Sequence, residues 1–466
     1  MTALEIDPGS FRDPAGRVVH LGGRIYRTIA ESAAGDYEFL SRRGVLDRLR
    51  DEGWIVPAEE VNAAILGDTG LAAHRVVEHP CLPFISYPYE WPFGALKAAA
   101  LFHLDLHLRA LDEGVTLSDA SAYNVQFRAG RPVFIDLLSL RRYREGEFWL
   151  GHRQFCEQFL NPLLLRAYLG VPHNAWFRGN LEGIPTADLA RLLPRWRVLS
   201  WRVLLHVVLP GRFQAQAAGR TDGGAGGVKR RQLPLPALRG MLKQLRSWIA
   251  TLEPGDSTAT VWGNYEETHT YAEPEEQAKR RMVAEFVAHA KPNLMWDLGC
   301  NTGAYSALAL EAGAGTVVGF DFDQGALERA FARTSRGRLD FLPLFLDAAN
   351  PSPDQGWNGT ERMGFGRRAT ADALMALAFE HHLAIGRNIP MDQLVSWLIR
   401  LAPCGLIEFV QKSDPTVQRM LSLRDDIFPD YTEEVFAALL ARQARIVRVD
   451  TVSAAGRRLY WYDRSR

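Results

Sequence analysis

Apolar and polar positions change their pattern near residue 290, and the two patterns predict different folds. In the first half, Val18–Leu21 and Arg24–Ile29 flank Gly22 and Gly23, the arrangement of a β-hairpin. Tyr37, Leu40, Val45, Leu46 and Leu49 recur at helical spacing and predict a helix over 36–50. Strand patterns at 74–77 and 83–87 precede a helix over 94–112, and 125–127 with 133–136 flank a turn at 129–132. In the second half, short apolar runs at Leu294–Leu298, Thr316–Asp321, 339–346, 371–379 and 405–410 read as strands of a buried parallel sheet. Helices are expected at 304–312 and Glu433–Gln443, and the pair 446–452 and 458–462 closes the chain as a hairpin.

A chain of 466 residues, 47% of them apolar, holds two or three domains with sizeable cores. Residues 214–232 are Gly-rich and end in Lys229-Arg230-Arg231; too little apolar surface lies there to order the segment, so it is expected to be a linker. The expected division is therefore 1–213, the linker 214–232, and 233–466, the last opening with a helix over 235–252, an aromatic stretch 262–271 holding Tyr265 and Tyr271, and a helix over 274–289. Lys plus Arg and Asp plus Glu number 54 each, so no global field draws in nucleic acid or an anionic membrane. Cys81, Cys156, Cys300 and Cys404 are scattered without disulfide or metal spacing, and no apolar run reaches membrane-spanning length. With an amino terminus unlike a signal peptide, the chain is expected to be cytoplasmic.

The run Leu294-Met295-Trp296-Asp297-Leu298-Gly299-Cys300-Asn301-Thr302-Gly303 leads an apolar strand into a glycine-spaced turn before a helix. Such a strand–turn–helix lets a ligand approach the backbone and offers it free N–H groups. Asp321, about twenty residues on, ends the next strand, where a carboxylate accepts ribose hydroxyls in dinucleotide folds. These segments resemble the class I S-adenosylmethionine (SAM)-dependent methyltransferases, whose first motif reads D-x-G-x-x-x-G. The resemblance spans about residues 260–466 and implies a Rossmann-like, mostly parallel seven-stranded sheet. It implies that Asp297, Gly299, Asn301 and Gly303 line the methionine moiety, Asp321 the ribose and Asp347 the adenine. A Rossmann-like domain binding another nucleotide, or none, is the bland alternative.

Methyl transfer needs a nucleophile held in line with the sulfonium methyl, and for a hydroxyl acceptor a base. No cysteine pair suits a methyl relay, and no Asn-Pro-Pro-Tyr motif follows the fourth strand. Glu380-His381-His382 stands there instead, so His381 or His382 is the candidate base, against packing and helix-capping roles. Glu408, Lys412 and Asp414 lie beyond the fifth strand, and the loop 350–370 carries Arg362, Arg367 and Arg368.

In the first half, Asp119, Asn124 and Asp136 follow the order Asp, four residues, Asn, hairpin, apolar strand, Asp. This resembles the catalytic loop and metal-binding acid of protein-kinase-like and aminoglycoside-phosphotransferase-like folds, an α+β domain. The resemblance implies Asp119 as the acceptor-activating acid and Asn124 with Asp136 as Mg2+ ligands on ATP. The pattern departs from that family. Leu117 replaces the usual His, Leu137-Leu138 follow Asp136, the candidate phosphate turn is only Pro14-Ala15-Gly16, and Arg27, with Glu38 as partner, stands for the strand lysine. An active kinase, a substrate-binding scaffold and an accidental spacing all fit. The chain is read as a SAM-dependent methyltransferase that O-methylates a small-molecule or glycan-type acceptor, with the first domain binding substrate. A bifunctional kinase–methyltransferase using ATP and Mg2+, and a non-enzymatic scaffold, are the alternatives.

Overall fold

Gly22 and Gly23 both take positive φ, +60° and +76°, as a two-residue hairpin turn matched to strand twist requires. They join β2 (Val18–Leu21) to β3 (Arg24–Ile29). The computed structural model describes residues 4–67, 70–71, 73–210, 232–256, 273–422 and 424–464. It divides into two units: the chain up to 257 together with Gln355–Arg362, and the remainder. The linker region, apart from Gln232, and Tyr265 and Tyr271 lie outside the described residues.

The first unit opens with an antiparallel sheet in the order β1-β2-β3-β5-β4, where β1 is Glu5–Ile6, β4 Glu59–Val61 and β5 Arg75–His79. Val19, Tyr26 and Val76 are buried together, as are Ile29, Tyr37, Val77 and Leu137. The helix expected over 36–50 is two, Glu31–Arg42 and Val45–Asp51, because Gly44 takes φ +64° between them. The strand expected at 83–87 is absent; those residues lead irregularly into a short helix at Pro88–Glu90. The long helix Phe93–Asp112 comes next, followed by β6 (Val115–Leu117), the hairpin β7 (Val125–Arg128) and β8 (Arg131–Phe134), and β9 (Leu140–Arg142), which pairs with β6. A helical run then covers 152–169, with a π-helical turn at Cys156–Leu160.

The helix Leu235–Ala250 packs in this first unit, not as the opening of the second. Arg246 pairs with Asp105, Arg239 with Asp112 at 2.6 Å, and Lys97 donates to the Leu252 carbonyl at 2.7 Å. Its apolar stripe Leu238, Leu242, Leu245 and Ile249 is buried.

The second unit is a seven-stranded sheet in the order β12-β11-β10-β13-β14-β16-β15. Its strands are β10 (Leu294–Leu298), β11 (Thr316–Asp321), β12 (Phe341–Phe345), β13 (Ala373–Ala376), β14 (Cys404–Phe409), β15 (Arg445–Thr451) and β16 (Arg458–Asp463). β10 to β14 are parallel, and β16 runs antiparallel between β14 and β15. This is the Rossmann-like, mostly parallel seven-stranded sheet that the sequence resemblance implies. β10 lies between β11 and β13, so the strand order reverses there, and the crevice at its carboxyl end is where open α/β sheets bind ligands. β13 is shorter than the run 371–379 because Ala378 turns to φ +50° beyond it.

Candidate functional site

At the carboxyl end of β10 the chain enters a turn built for close approach. Gly299 takes φ +77°, and a Cβ there would stand 3.1 Å from the Phe379 ring. Gly303, also at φ +77°, would press a Cβ to 2.3 Å from Phe341. Asn301 between them takes φ +48°. The Gly299 and Cys300 amides donate to the Phe320 carbonyl at 2.8 and 3.1 Å, and the Asn301 amide donates to Asp321 Oδ2 at 2.8 Å. The second Asp321 oxygen accepts from the Asp323 amide at 2.8 Å. Asp323 itself caps the helix Gln324–Gly337 through the Ala326 amide.

Asp297 is buried and accepts from the Ser306 hydroxyl at 2.6 Å. Burial pushes its carboxyl up to about 7, with Ser306 opposing and Asp321 reinforcing the rise. Burial likewise raises Asp321 to about 6, against backbone hydrogen bonds that favour the carboxylate. The Asn301 Oδ1 atom is buried without a hydrogen-bond partner. Two carboxylates kept from ionising freely and an orphaned acceptor, gathered at one left-handed turn, fit a ligand bearing an ammonium group and vicinal hydroxyls. SAM has that donor set.

Asp347, just after β12, accepts from the Ala349 amide at 3.1 Å and lies 3.9 Å from Arg387. Phe322 immediately follows Asp321, is 58% exposed, and places its ring 5.6 Å from that of Phe345. An exposed aromatic beside a ribose-type carboxylate offers a flat face for a base. Its signal in the sequence is a large apolar residue directly after the strand-ending acid.

His381 and His382 begin the short helix Glu380–Ala384 beyond β13, their ring centroids 4.2 Å apart. His381 is buried, with Nδ1 3.7 Å from Glu380. Burial, His381 and Arg457 depress His382 to about 3, so it is neutral at physiological pH. Glu408 and Asp414 are engaged in a buried network. Lys279 meets Glu408 at 2.6 Å, and Arg457 meets Asp414 at 2.7 Å and Glu408 at 3.8 Å. Lys412 pairs with Asp426 at 2.8 Å and Arg367 with Asp354 at 3.3 Å; Arg368 is buried. Arg362 belongs to the first unit and lies over the Tyr123 ring at 4.4 Å.

The first unit brings its three candidate residues together. Asn124 Nδ2 is 3.1 Å from Asp119 and 3.4 Å from Asp136. Asp136 also accepts from Ser139 at 2.5 Å and from Arg27 at 3.0 Å, while Arg27 reaches Asp13 as well. Burial, then the charge of Asp136, raises the Asp119 carboxyl. Glu38 pairs with Arg42 and His74 rather than with Arg27. Gly16 backs onto β3, where a Cβ would stand 1.8 Å from the Thr28 carbonyl.

The chain is 49% identical over 457 residues to the nodulation protein NoeA of Rhizobium meliloti (strain 1021), an overlap of 98% of this chain and 96% of that protein. It belongs to the NoeA family. No general family model matches. Similar solved structures include the N-methyltransferase NodS of Bradyrhizobium japonicum WM9 (15% identity, 42% of this chain and 98% of that one, TM-score 0.31). They also include magnesium protoporphyrin IX methyltransferase of Synechocystis PCC 6803 (16%, 45% and 96%, 0.31) and WbdD (21%, 41% and 40%, 0.28). Within this NoeA-family chain, no helix among the described residues is long and apolar enough to cross a membrane.

Proposed function

We propose that this NoeA-family protein is a SAM-dependent O-methyltransferase acting on a small-molecule or glycan-type acceptor in nodulation. The observation that carries the reading is the turn 299–303, held by Asp321 at the carboxyl edge of the sheet where strand order reverses. SAM supplies an electrophilic methyl carbon on its sulfonium. The turn from Gly299 to Gly303, whose glycines pack on the Phe379 and Phe341 rings, lines the methionine portion, Asp321 accepts from the ribose hydroxyls, and Asp347 with Phe322 borders the adenine. His381 or His382, whose ring centroids lie 4.2 Å apart beyond β13, is the group assigned to take the acceptor hydroxyl proton. Calorimetry of the purified chain with SAM tests the reading. Binding at micromolar affinity, lost in Gly299→Arg, supports it; equal affinity in both proteins places the pocket elsewhere.

The first unit is proposed to be a kinase-like module that binds substrate without phosphoryl transfer. Arg27 pairs with Asp136 and Glu38 with Arg42 and His74, so among the described residues the Arg27–Glu38 counterpart of the kinase Lys–Glu pair is not formed. A bifunctional kinase–methyltransferase is the second reading, favoured by Asn124 standing between Asp119 and Asp136. Titration with ATP and Mg2+ separates them. Binding abolished by Asp136→Ala favours phosphoryl transfer, and no heat favours the binding module.

A further inference from the structure

Two helical segments far apart in sequence converge through π-helical turns, and each contributes metal-binding atoms at the meeting point. The first turn, Cys156–Leu160, continues the helix His152–Phe155; the second, Leu204–Val208, holds His206 at its centre. Such turns widen a helix by one residue and recur where side chains are aimed at a site. His152 Nε2 lies 3.2 Å from His206 Nδ1 and 3.8 Å from Cys156 Sγ, and the three atoms all fall within 4.8 Å of one another. Cys156 and His206 are buried, and His152 is partly so. Among the described residues, no other three His, Cys, Asp or Glu side chains gather in this way.

The spacing suits a tetrahedral ion. Bonds of about 2.0–2.1 Å to nitrogen and about 2.3 Å to sulfur set ligand separations of roughly 3.3 Å for N···N and roughly 3.6 Å for N···S. A hydrogen-bonded imidazole pair would account for the 3.2 Å separation alone, but not for a buried thiol brought to the same point. Two imidazoles and a thiol favour a borderline-soft cation over Mg2+ or Ca2+. We propose that His152 Nε2, Cys156 Sγ and His206 Nδ1 bind Zn2+, with a water molecule as fourth ligand, and that the ion fixes the helix supporting residues 119–124. Each imidazole gives a nitrogen lone pair, and the Cys156 thiol releases its proton to solvent as the Zn–S bond forms.

The structural consequence runs through the same helix. Gln154 and Gln158, interleaved with His152 and Cys156, hold the loop carrying Asp119 and Asn124. Gln154 Oε1 accepts from the Ala120 amide at 2.9 Å, and Gln158 Oε1 from the Ala122 amide at 2.8 Å. An ion pinning this helix to the segment bearing His206 therefore positions the acidic cluster of the first unit. The inference is independent of methyl transfer.

The test uses the full-length chain stripped with a chelator and titrated with Co2+. One equivalent should bind with a near-ultraviolet thiolate-to-cobalt band and strong visible tetrahedral bands, and Zn2+ should displace it. Cys156→Ser should remove the thiolate band, and His206→Ala should weaken binding at least about tenfold. A wild-type protein without the thiolate band, or unchanged binding in a His152→Ala/Cys156→Ser/His206→Ala variant, overturns the site. The wild-type spectrum decides should the variants misfold. Adding Zn2+ should also slow hydrogen exchange across 119–124; unchanged exchange in the Zn2+-loaded protein overturns the positioning role.

Discussion

Asp321 governs the conformation of Asn301. Its Oδ2 accepts from the Asn301 amide at 2.8 Å, holding a residue at φ +48° between two glycines at φ +77°. A non-glycine residue in the left-handed region costs on the order of 1 kcal/mol, which the charge-assisted bond offsets. One carboxylate thus serves both the turn and the proposed ribose contact. Asp321→Ala should lower SAM affinity about 10- to 100-fold, in keeping with about 1.5–3 kcal/mol for hydrogen bonds to a charged group. Asp321→Asn should recover only part of it, because an amide cannot accept through both positions. Calorimetry of the two variants checks this, and wild-type affinity in both would remove Asp321 from the pocket.

Gly303→Ala should be worse than an ordinary glycine substitution. The new Cβ meets the Phe341 ring at 2.3 Å, and the backbone stays at φ +77°. Phe341 is itself buried in the core of the sheet unit, so it has little room to retreat. A loss of about 2–4 kcal/mol is expected, read as a drop in denaturation midpoint. Gly359→Ala, also at positive φ but with nothing within 4 Å of the added carbon, isolates the backbone contribution and should cost less.

SAM affinity should rise with pH between about 6 and 7. Asp321 and Asp297 are raised by burial to about 6 and about 7 from 3.8. Raised acids bind more protons folded than unfolded, so their contribution to stability is complete below 3.8 and declines as pH climbs through those values. A ligand that prefers the carboxylates must expel those protons at lower pH. Calorimetry in buffers of different ionisation enthalpy should detect proton release at pH 6 that disappears by pH 8. His382, depressed to about 3, should add no acid limb of its own above pH 5 to the rate profile.

Asp414→Ala should strongly destabilise the second unit. Arg457 is buried and directs Nε to Asp414 at 2.7 Å, with Glu408 at 3.8 Å as a longer contact. Glu408 is already paired with Lys279 at 2.6 Å, which balances two cations against two carboxylates. Removing one leaves a buried excess of positive charge, at a cost of about 3–5 kcal/mol. Urea unfolding measures the loss, and a change below 1 kcal/mol would mean that water reaches Arg457.

The sequence by itself determined the elements whose causes are local. The Gly22-Gly23 hairpin, the strand–turn–helix from Leu294 and the acids closing the next two strands follow from side-chain period and from glycine's access to positive φ. Parallel strands buried on both faces write themselves as apolar runs, so the sheet edge on which Asp297, Asp321 and Asp347 stand was legible too. Only the tertiary structure decided what depends on distant partners. The amphipathic helix Leu235–Ala250 carries an apolar stripe that any core accepts, and its ion pairs with Asp105 and Asp112 assign it to the first unit. Glu408 and Asp414 looked like site acids by position, yet buried cations claim them. His152, Cys156 and His206 span a gap of 54 residues, and their convergence depends on two π-helical turns that no local periodicity announces. Local pattern specifies which backbone forms; packing specifies which distant side chain each charge, ring or thiol finally meets.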